Sequence, residues 1–243
     1  MQNLDTPKFV YVGPCWATKS SHDHQNNIEP VNLADRWGIE HVNLSRDGHS
    51  VLESIGRIKY SNHHELPIIW VYNEPIADLS RITKLSKSEF IQRPDWKDIW
   101  YECNSYCLKA ISDLNRPVLL IGAYSDIVDC NYKNITIAHP SWQKWMAEMA
   151  GIDMTNNRIN ITMYEGGSYS FSHCWGADLV KGFMTEGIRI DDGLYKSMTD
   201  LYSFWRILNS AGYLYNINPT GMSTLKFADF LLPKVNIFLQ ENK

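Results

Sequence analysis

Five short apolar runs, each rich in β-branched and aromatic residues, constrain this chain more than any other feature. They are Lys8–Gly13 (KFVYVG), His41–Ser45 (HVNLS), Pro67–Tyr72 (PIIWVY), Pro117–Ala123 (PVLLIGA) and Asn134–His139 (NITIAH). Apolar residues follow one another here without the alternation of a half-solvated strand, the pattern of strands buried on both faces of a parallel sheet. Parallel neighbours need crossovers, and the intervening segments supply them. Val31–Trp37 lies between Pro30 and Gly38, the Pro-start, Gly-stop asymmetry of a short helix. Ser50–Tyr60 and Asp95–Leu114 carry apolar residues at helical spacing. The alternation predicts a doubly wound, flavodoxin-like α/β fold with a parallel five-stranded sheet flanked by helices.

Beyond Pro140 the pattern changes. Ser141–Ala150 and Leu194–Ser210 read as helices, Asn156–Gly176 as irregular with a strand at Ile159–Tyr164, and Ser223–Leu239 as a helix interrupted at Pro233. With no internal repeat and no Pro/Gly/Ser-rich linker, residues 1–243 read as one domain with a helical and irregular insertion at about 151–212.

The formal charge of −4 gives no electrostatic case for nucleic acid or an anionic membrane surface. No run approaches the ~18 apolar residues of a membrane helix. The opening MQNLDTPKFVYVG lacks a basic stretch leading into an apolar one, so no secretory leader is expected. Five scattered cysteines, an odd number, read as reduced thiols of a cytoplasmic protein. Cys103 and Cys107, four apart on a helix, read as small buried residues and not as metal ligands. A P-loop and a G-x-G-x-x-G turn are both missing, so no nucleotide cofactor is expected.

In doubly wound sheets ligands bind beyond the C-terminal ends of the strands. The residues to inspect are Gly13-Pro14-Cys15, Arg46-Asp47-Gly48, Asn73-Glu74-Pro75, Tyr124-Ser125-Asp126 and His139-Pro140-Ser141. Four blocks, VYVGPCWA (Val10–Ala17), NLSRDGHS (Asn43–Ser50), IIWVYNEP (Ile68–Pro75) and YNINPTGMSTLKFADFLLP (Tyr215–Pro233), occur in an order that resembles the SGNH/GDSL hydrolase superfamily. The resemblance implies an SGNH-type sheet, a nucleophile at Cys15, and oxyanion donors at the Cys15 and Gly48 N–H groups and the Asn73 side chain. It also implies an acid–base pair in the tetrad Tyr215-Asn216-Ile217-Asn218. GDS-W-A openings of this kind are similar to those of bacteriophage proteins, which would place the chain in a virion or a host cytoplasm.

The departures fall on the chemistry. Where that family has GDS, this chain has Gly13-Pro14-Cys15; where it has D-x-x-H, Asn218 replaces the base and Tyr215 the acid. A positioned general base contributes roughly 10²–10⁴-fold, and asparagine cannot take up and return a proton near neutral pH. Triad enzymes stripped of a member still retain roughly 10³–10⁴-fold over water from oxyanion stabilisation and binding. A thiol needs a base less than a hydroxyl does, being a few per cent thiolate at pH 7.

Two functions follow. One is a degenerate SGNH-like protein with lost or strongly reduced esterase activity, a ligand-binding or structural module for a small-molecule or glycan ester-like ligand. Trp16, Trp70 and Trp175 would be groove walls, and Ser80–Arg93 a polar lid. The other is an ester hydrolase using Cys15 with a non-standard base, His49 or His139. If Gly48 and Asn73 do not converge on Cys15, the chain is instead a flavodoxin-like binder unrelated to hydrolases.

Overall fold

The structure, a computed structural model, describes residues 6–18, 31–72, 78–86, 89–90, 93–123, 127, 130–151, 208, 210–215 and 218–243. All five apolar runs are strands: β1 (Phe9–Val12), β2 (His41–Asn43), β3 (Ile68–Tyr72), β4 (Val118–Gly122) and β5 (Ile135–His139). They form one five-stranded, all-parallel sheet in the order β2-β1-β3-β4-β5. That is the flavodoxin-like doubly wound order, and its direction reverses between β1 and β3. The expected fold class is therefore the observed one.

Each strand's alternation sorts its residues onto two faces. Phe9, Tyr11, Ile69, Val71, Leu119 and Ile121 pack on one side with Trp16, Leu33, Trp142, Met146, Phe227 and Leu231. Those partners come from α1 (Cys15–Thr18), α2 (Leu33–Arg36), α6 (Trp142–Met149) and α7 (Gly221–Glu241). Val10, Val12, Ile68, Trp70, Val118 and Leu120 face α3 (Val51–Lys59) and α5 (Trp96–Ser112). Fully burying one such side chain stabilises the fold by about 1.5–3 kcal/mol, so both faces drive the sheet's formation. Trp16 and Trp70 belong to these cores at 3% and 0% exposure, not to a groove wall. Trp175 lies outside the described residues.

The helix starts are set by caps. Asn32 accepts from the Asp35 N–H at 2.7 Å, so α2 begins at Leu33 and not directly after Pro30. Gly38, at φ +64°, ends it as expected. Ser50 and Glu53 form a reciprocal capping box on α3, and Ser141 caps α6.

Two expectations need correction. Ser80–Arg93, expected as a polar lid, is not uniformly polar surface: it includes most of a short helix, α4 (Leu79–Thr83), and the fully buried Phe90. α7 is not interrupted at Pro233. Pro233 sits on the exposed side, where only the Asp229 carbonyl loses its helical donor, while Leu231, Val235 and Phe238 hold the buried side on either flank. A two-stranded antiparallel pair, β6 (Leu214–Tyr215) with β7 (Asn218–Pro219), precedes α7. The helix expected at Leu194–Ser210 falls outside the described residues except for Leu208 and Ser210. The irregular stretch Asn156–Gly176, the strand Ile159–Tyr164 and the greater part of the insertion lie outside them entirely.

Among the described residues no helix is long and apolar enough to cross a membrane. No group of three or more His, Cys, Asp or Glu residues there could hold a metal. Cys103 and Cys107 are free and buried, as expected. Burial pushes both thiols up, Cys103 to about 11 and Cys107 further, so neither is a nucleophile at neutral pH.

Candidate functional site

The C-terminal edge of β1 gathers three of the four candidate elements. β1 ends at Val12 and turns through Gly13 and Pro14 into α1, whose first residue is Cys15. Only glycine fits at position 13: an added Cβ would stand 2.6 Å from the Ala17 Cβ and 2.7 Å from the Val71 carbonyl oxygen. The turn after β2 is bound to this edge, since Leu44 N–H donates to Tyr11 O at 2.8 Å and Arg46 N–H to Gly13 O at 3.0 Å. The Thr18 hydroxyl, at the end of α1, donates to the Asp47 carboxylate at 2.7 Å. These bonds fix the Asp47-Gly48 turn beside α1.

Gly48 lies on the surface at φ +71°, a left-handed conformation that a side chain disfavours. An added Cβ would meet nothing within 4 Å. The glycine therefore serves backbone shape, not close packing, and no described residue accepts its N–H. The turn thus leaves a backbone donor at the strand edge that no described residue occupies.

The fourth block arrives from the far end of the chain. β7 packs against α1, bringing the Asn218 backbone to the Cys15 helix. Within the tetrad, Tyr215 and Asn218 are direct cross-strand partners. The Cys15 thiol and the Asn218 amide lie outside the described atoms, and Asn73 lies outside the described residues. Asn73 directly follows Tyr72, the last residue of β3, and β3 is hydrogen-bonded to β1. In sequence, Cys15 thus follows β1 and position 73 follows β3, the two strands that flank the topological switch point.

The two candidate bases differ. His49 follows Gly48, and its Nδ1 is buried without a hydrogen-bond partner among the described residues. Burial and the nearby Arg57 guanidinium hold its imidazole below the usual value, so it is neutral at pH 7. His139 closes β5, three strand positions from β1, or about 14 Å at the usual spacing. Its ring meets Phe227 and Phe230 edge-on at 5.7 and 5.5 Å, and its Nδ1 accepts the Ser141 N–H at 3.2 Å. That bond puts the ring proton on Nε2, leaving no nitrogen free to accept another. Burial and the Lys234 ammonium push its pKa down to about 4. Position, tautomer and basicity all argue against His139 as the base.

The same environment carries a stability prediction. Above about pH 6.5, the value of an unperturbed imidazole, folded and unfolded states both hold His139 neutral and its contribution is fully present. As the pH falls toward 4, the unfolded chain binds a proton that the folded one refuses. We expect His139 to remove about 2 kcal/mol by pH 4, discounted for the partial exposure of the ring. Urea unfolding of His139→Gln should show a shallower loss than wild type between pH 7 and 4.5; parallel losses would refute the assignment.

Sequence reasoning missed Asp78. Its side chain is fully buried, and Oδ2 accepts the Val51 N–H at 2.8 Å and the Leu52 N–H at 3.4 Å. Asp78 occupies the N-cap position of α4 but makes no side-chain cap there; it caps α3 instead. The partner lies 27 residues away, so no local pattern reveals it.

The class defined by this fold is a doubly wound α/β protein whose strand order reverses between β1 and β3. Compared with known proteins, the chain matches no family model, no curated protein and no solved structure.

Proposed function

We propose that the chain is an SGNH-hydrolase-like binding or structural module that holds a small ester-like ligand, such as an acylated glycan, and has lost or strongly reduced ester turnover. The observation that carries this reading is the packing of β7 on α1 beside the Gly48 turn. It brings the backbone of Asn218, which stands where the resemblance expects the base, to the helix beside the Gly48 turn, whose N–H no described residue accepts. Such an edge can bind a carbonyl or phosphoryl oxygen, while an asparagine at position 218 cannot return a proton to a leaving group. The described thiols Cys103, Cys107 and Cys130 are all free, which supports a reducing, cytoplasmic setting.

A second reading, a thiol hydrolase with Cys15 as nucleophile, is favoured by one observation: the neutral His49, whose Nδ1 no described residue engages. Release of p-nitrophenol from p-nitrophenyl butyrate separates the two. The binding-module reading expects wild type and Cys15→Ala to agree within about twofold. A wild-type rate tenfold above that of Cys15→Ala overturns it, and loss of that rate in His49→Ala would then name the base.

A further inference from the structure

We infer that Arg46 and Arg57 form an anion-recognition site beside the Gly48 turn, so that the ligand held there carries a carboxylate or phosphate as well as its ester. This names the ligand class of the proposed ester-binding edge and rests on that reading for the role of Gly48. Guanidinium groups suit such a partner, since their planar fork matches the oxygens of carboxylate and phosphate alike.

No described residue pairs with these two side chains, whereas the other described arginines are all engaged. Arg36 holds Asp229 at 3.1 Å, Arg81 holds Glu53 at 2.7 Å, Arg93 holds Asp95 at 2.6 Å, and Arg116 donates to the His63 carbonyl at 2.8 Å. The chain carries 27 acidic against 23 basic residues, so a shortage of carboxylates does not explain two unpaired guanidiniums. The nearest acids in sequence are turned to other donors. Glu53 precedes Arg57 by four residues on α3, the favourable order for a helical ion pair. Its Oε1 instead accepts from Arg81, and its Oε2 accepts the Ser50 N–H at 3.1 Å. Asp47 adjoins Arg46, yet its carboxylate accepts the Thr18 hydroxyl at 2.7 Å.

Both arginines belong to the surroundings of the turn. Arg46 is exposed two residues before Gly48, and its N–H is tied to Gly13 O at 3.0 Å. Arg57 is half-buried on α3, whose side chains lean toward the helix N-terminus and so toward the turn. Burial, and then the fields of Arg57 and Arg46, hold the His49 imidazole below its usual value against the opposing pull of Glu53. Both guanidiniums are therefore within electrostatic reach of the residue that follows Gly48.

The test titrates the uniformly ¹⁵N-labelled full chain with three methyl esters: monomethyl glutarate, methyl 4-phosphonobutyrate and the neutral dimethyl glutarate. At least one anionic ester should shift the Arg46 and Arg57 Nε–H resonances and the Gly48 amide on one isotherm, and the tighter of the two names the head group. Dimethyl glutarate should bind at least tenfold more weakly. Arg46→Gln and Arg57→Gln should each weaken the anionic ester about tenfold, the scale of one charge-assisted pair, and leave dimethyl glutarate within about twofold. Arg36→Gln, whose partner is Asp229, should change neither. If Arg57→Gln does not fold, Arg57→Lys, which keeps the charge but not the fork, takes its place with a loss of at least threefold. Equal affinity for charged and neutral esters, unaltered affinity in the Arg46 and Arg57 variants, or no binding of either anionic ester would overturn the inference. Arginine shifts without a Gly48 shift would refute the ester-binding edge instead and leave the anion site standing.

Discussion

The double substitution Asn218→His with Tyr215→Asp is expected to raise hydrolysis of p-nitrophenyl butyrate by about 10² or more over wild type. Positions 215 and 218 are paired directly across β6 and β7. Cross-strand partners of this kind hold their Cβ atoms about 4.5–5.5 Å apart, close enough for a carboxylate to orient an imidazole. β7 packs on α1, so a histidine at 218 is delivered to the helix that begins with Cys15. A positioned base supplies roughly 10²–10⁴-fold, and the lower end is expected because neither loop has been tuned for proton transfer. Adding Cys15→Ser to this pair should keep the gain only if the imidazole reaches residue 15, since a hydroxyl depends on a base more than a thiol does. Rates equal to wild type in both variants would mean that the β6–β7 pair is not the remnant of an acid–base element.

Gly122→Ala is expected to destabilise the fold by about 3 kcal/mol, at the upper end of the range for overpacking. Gly122 closes β4, and an added Cβ there would overlap the Pro140 carbonyl oxygen and stand 2.6 Å from the Pro140 carbonyl carbon. The obstacle is backbone, so no rotamer change relieves it. Nearby bonds raise the cost of moving: Gln143 N–H donates to Ala123 O at 2.9 Å, and Ile127 N–H to Pro140 O at 3.1 Å. The end of β5 and the start of α6 would have to shift together. A fall in the urea midpoint at unchanged slope measures the effect; a midpoint within 0.5 kcal/mol of wild type would show that β4 and β5 separate freely.

The sheet was legible because its strands are buried on both faces, and continuous apolar runs such as Ile68–Tyr72 announce that environment directly. Helix boundaries were legible where the cap is local, as at Ser50 and Ser141. They failed where a distant group decides. α4 follows Asp78, a residue whose carboxylate serves another helix, and its five residues are too few to show a periodicity. Pro233 misled because a proline's cost in a helix depends on which face it occupies and on what anchors the turns around it.

The site divides in the same way. Gly48 could be found because a glycine after a strand signals a special backbone angle, and its φ of +71° fits that signal. The approach of β7 to α1 joins positions some 200 residues apart, which no local sequence pattern announces. His139 and His49 read alike in sequence, each beside a strand-end turn. Strand order separates them, since it sends β5 to the sheet edge and holds the Gly48 turn against β1.

The most direct test follows amide resonances while butylphosphonate is added to uniformly ¹⁵N-labelled protein. An edge that cradles an anionic oxygen at the switch point predicts that the Gly48 N–H and the Asn73 side-chain amide shift together, on one saturating isotherm, with the Cys15 amide. Shifts that miss these three groups, or that fit separate isotherms, would contradict it.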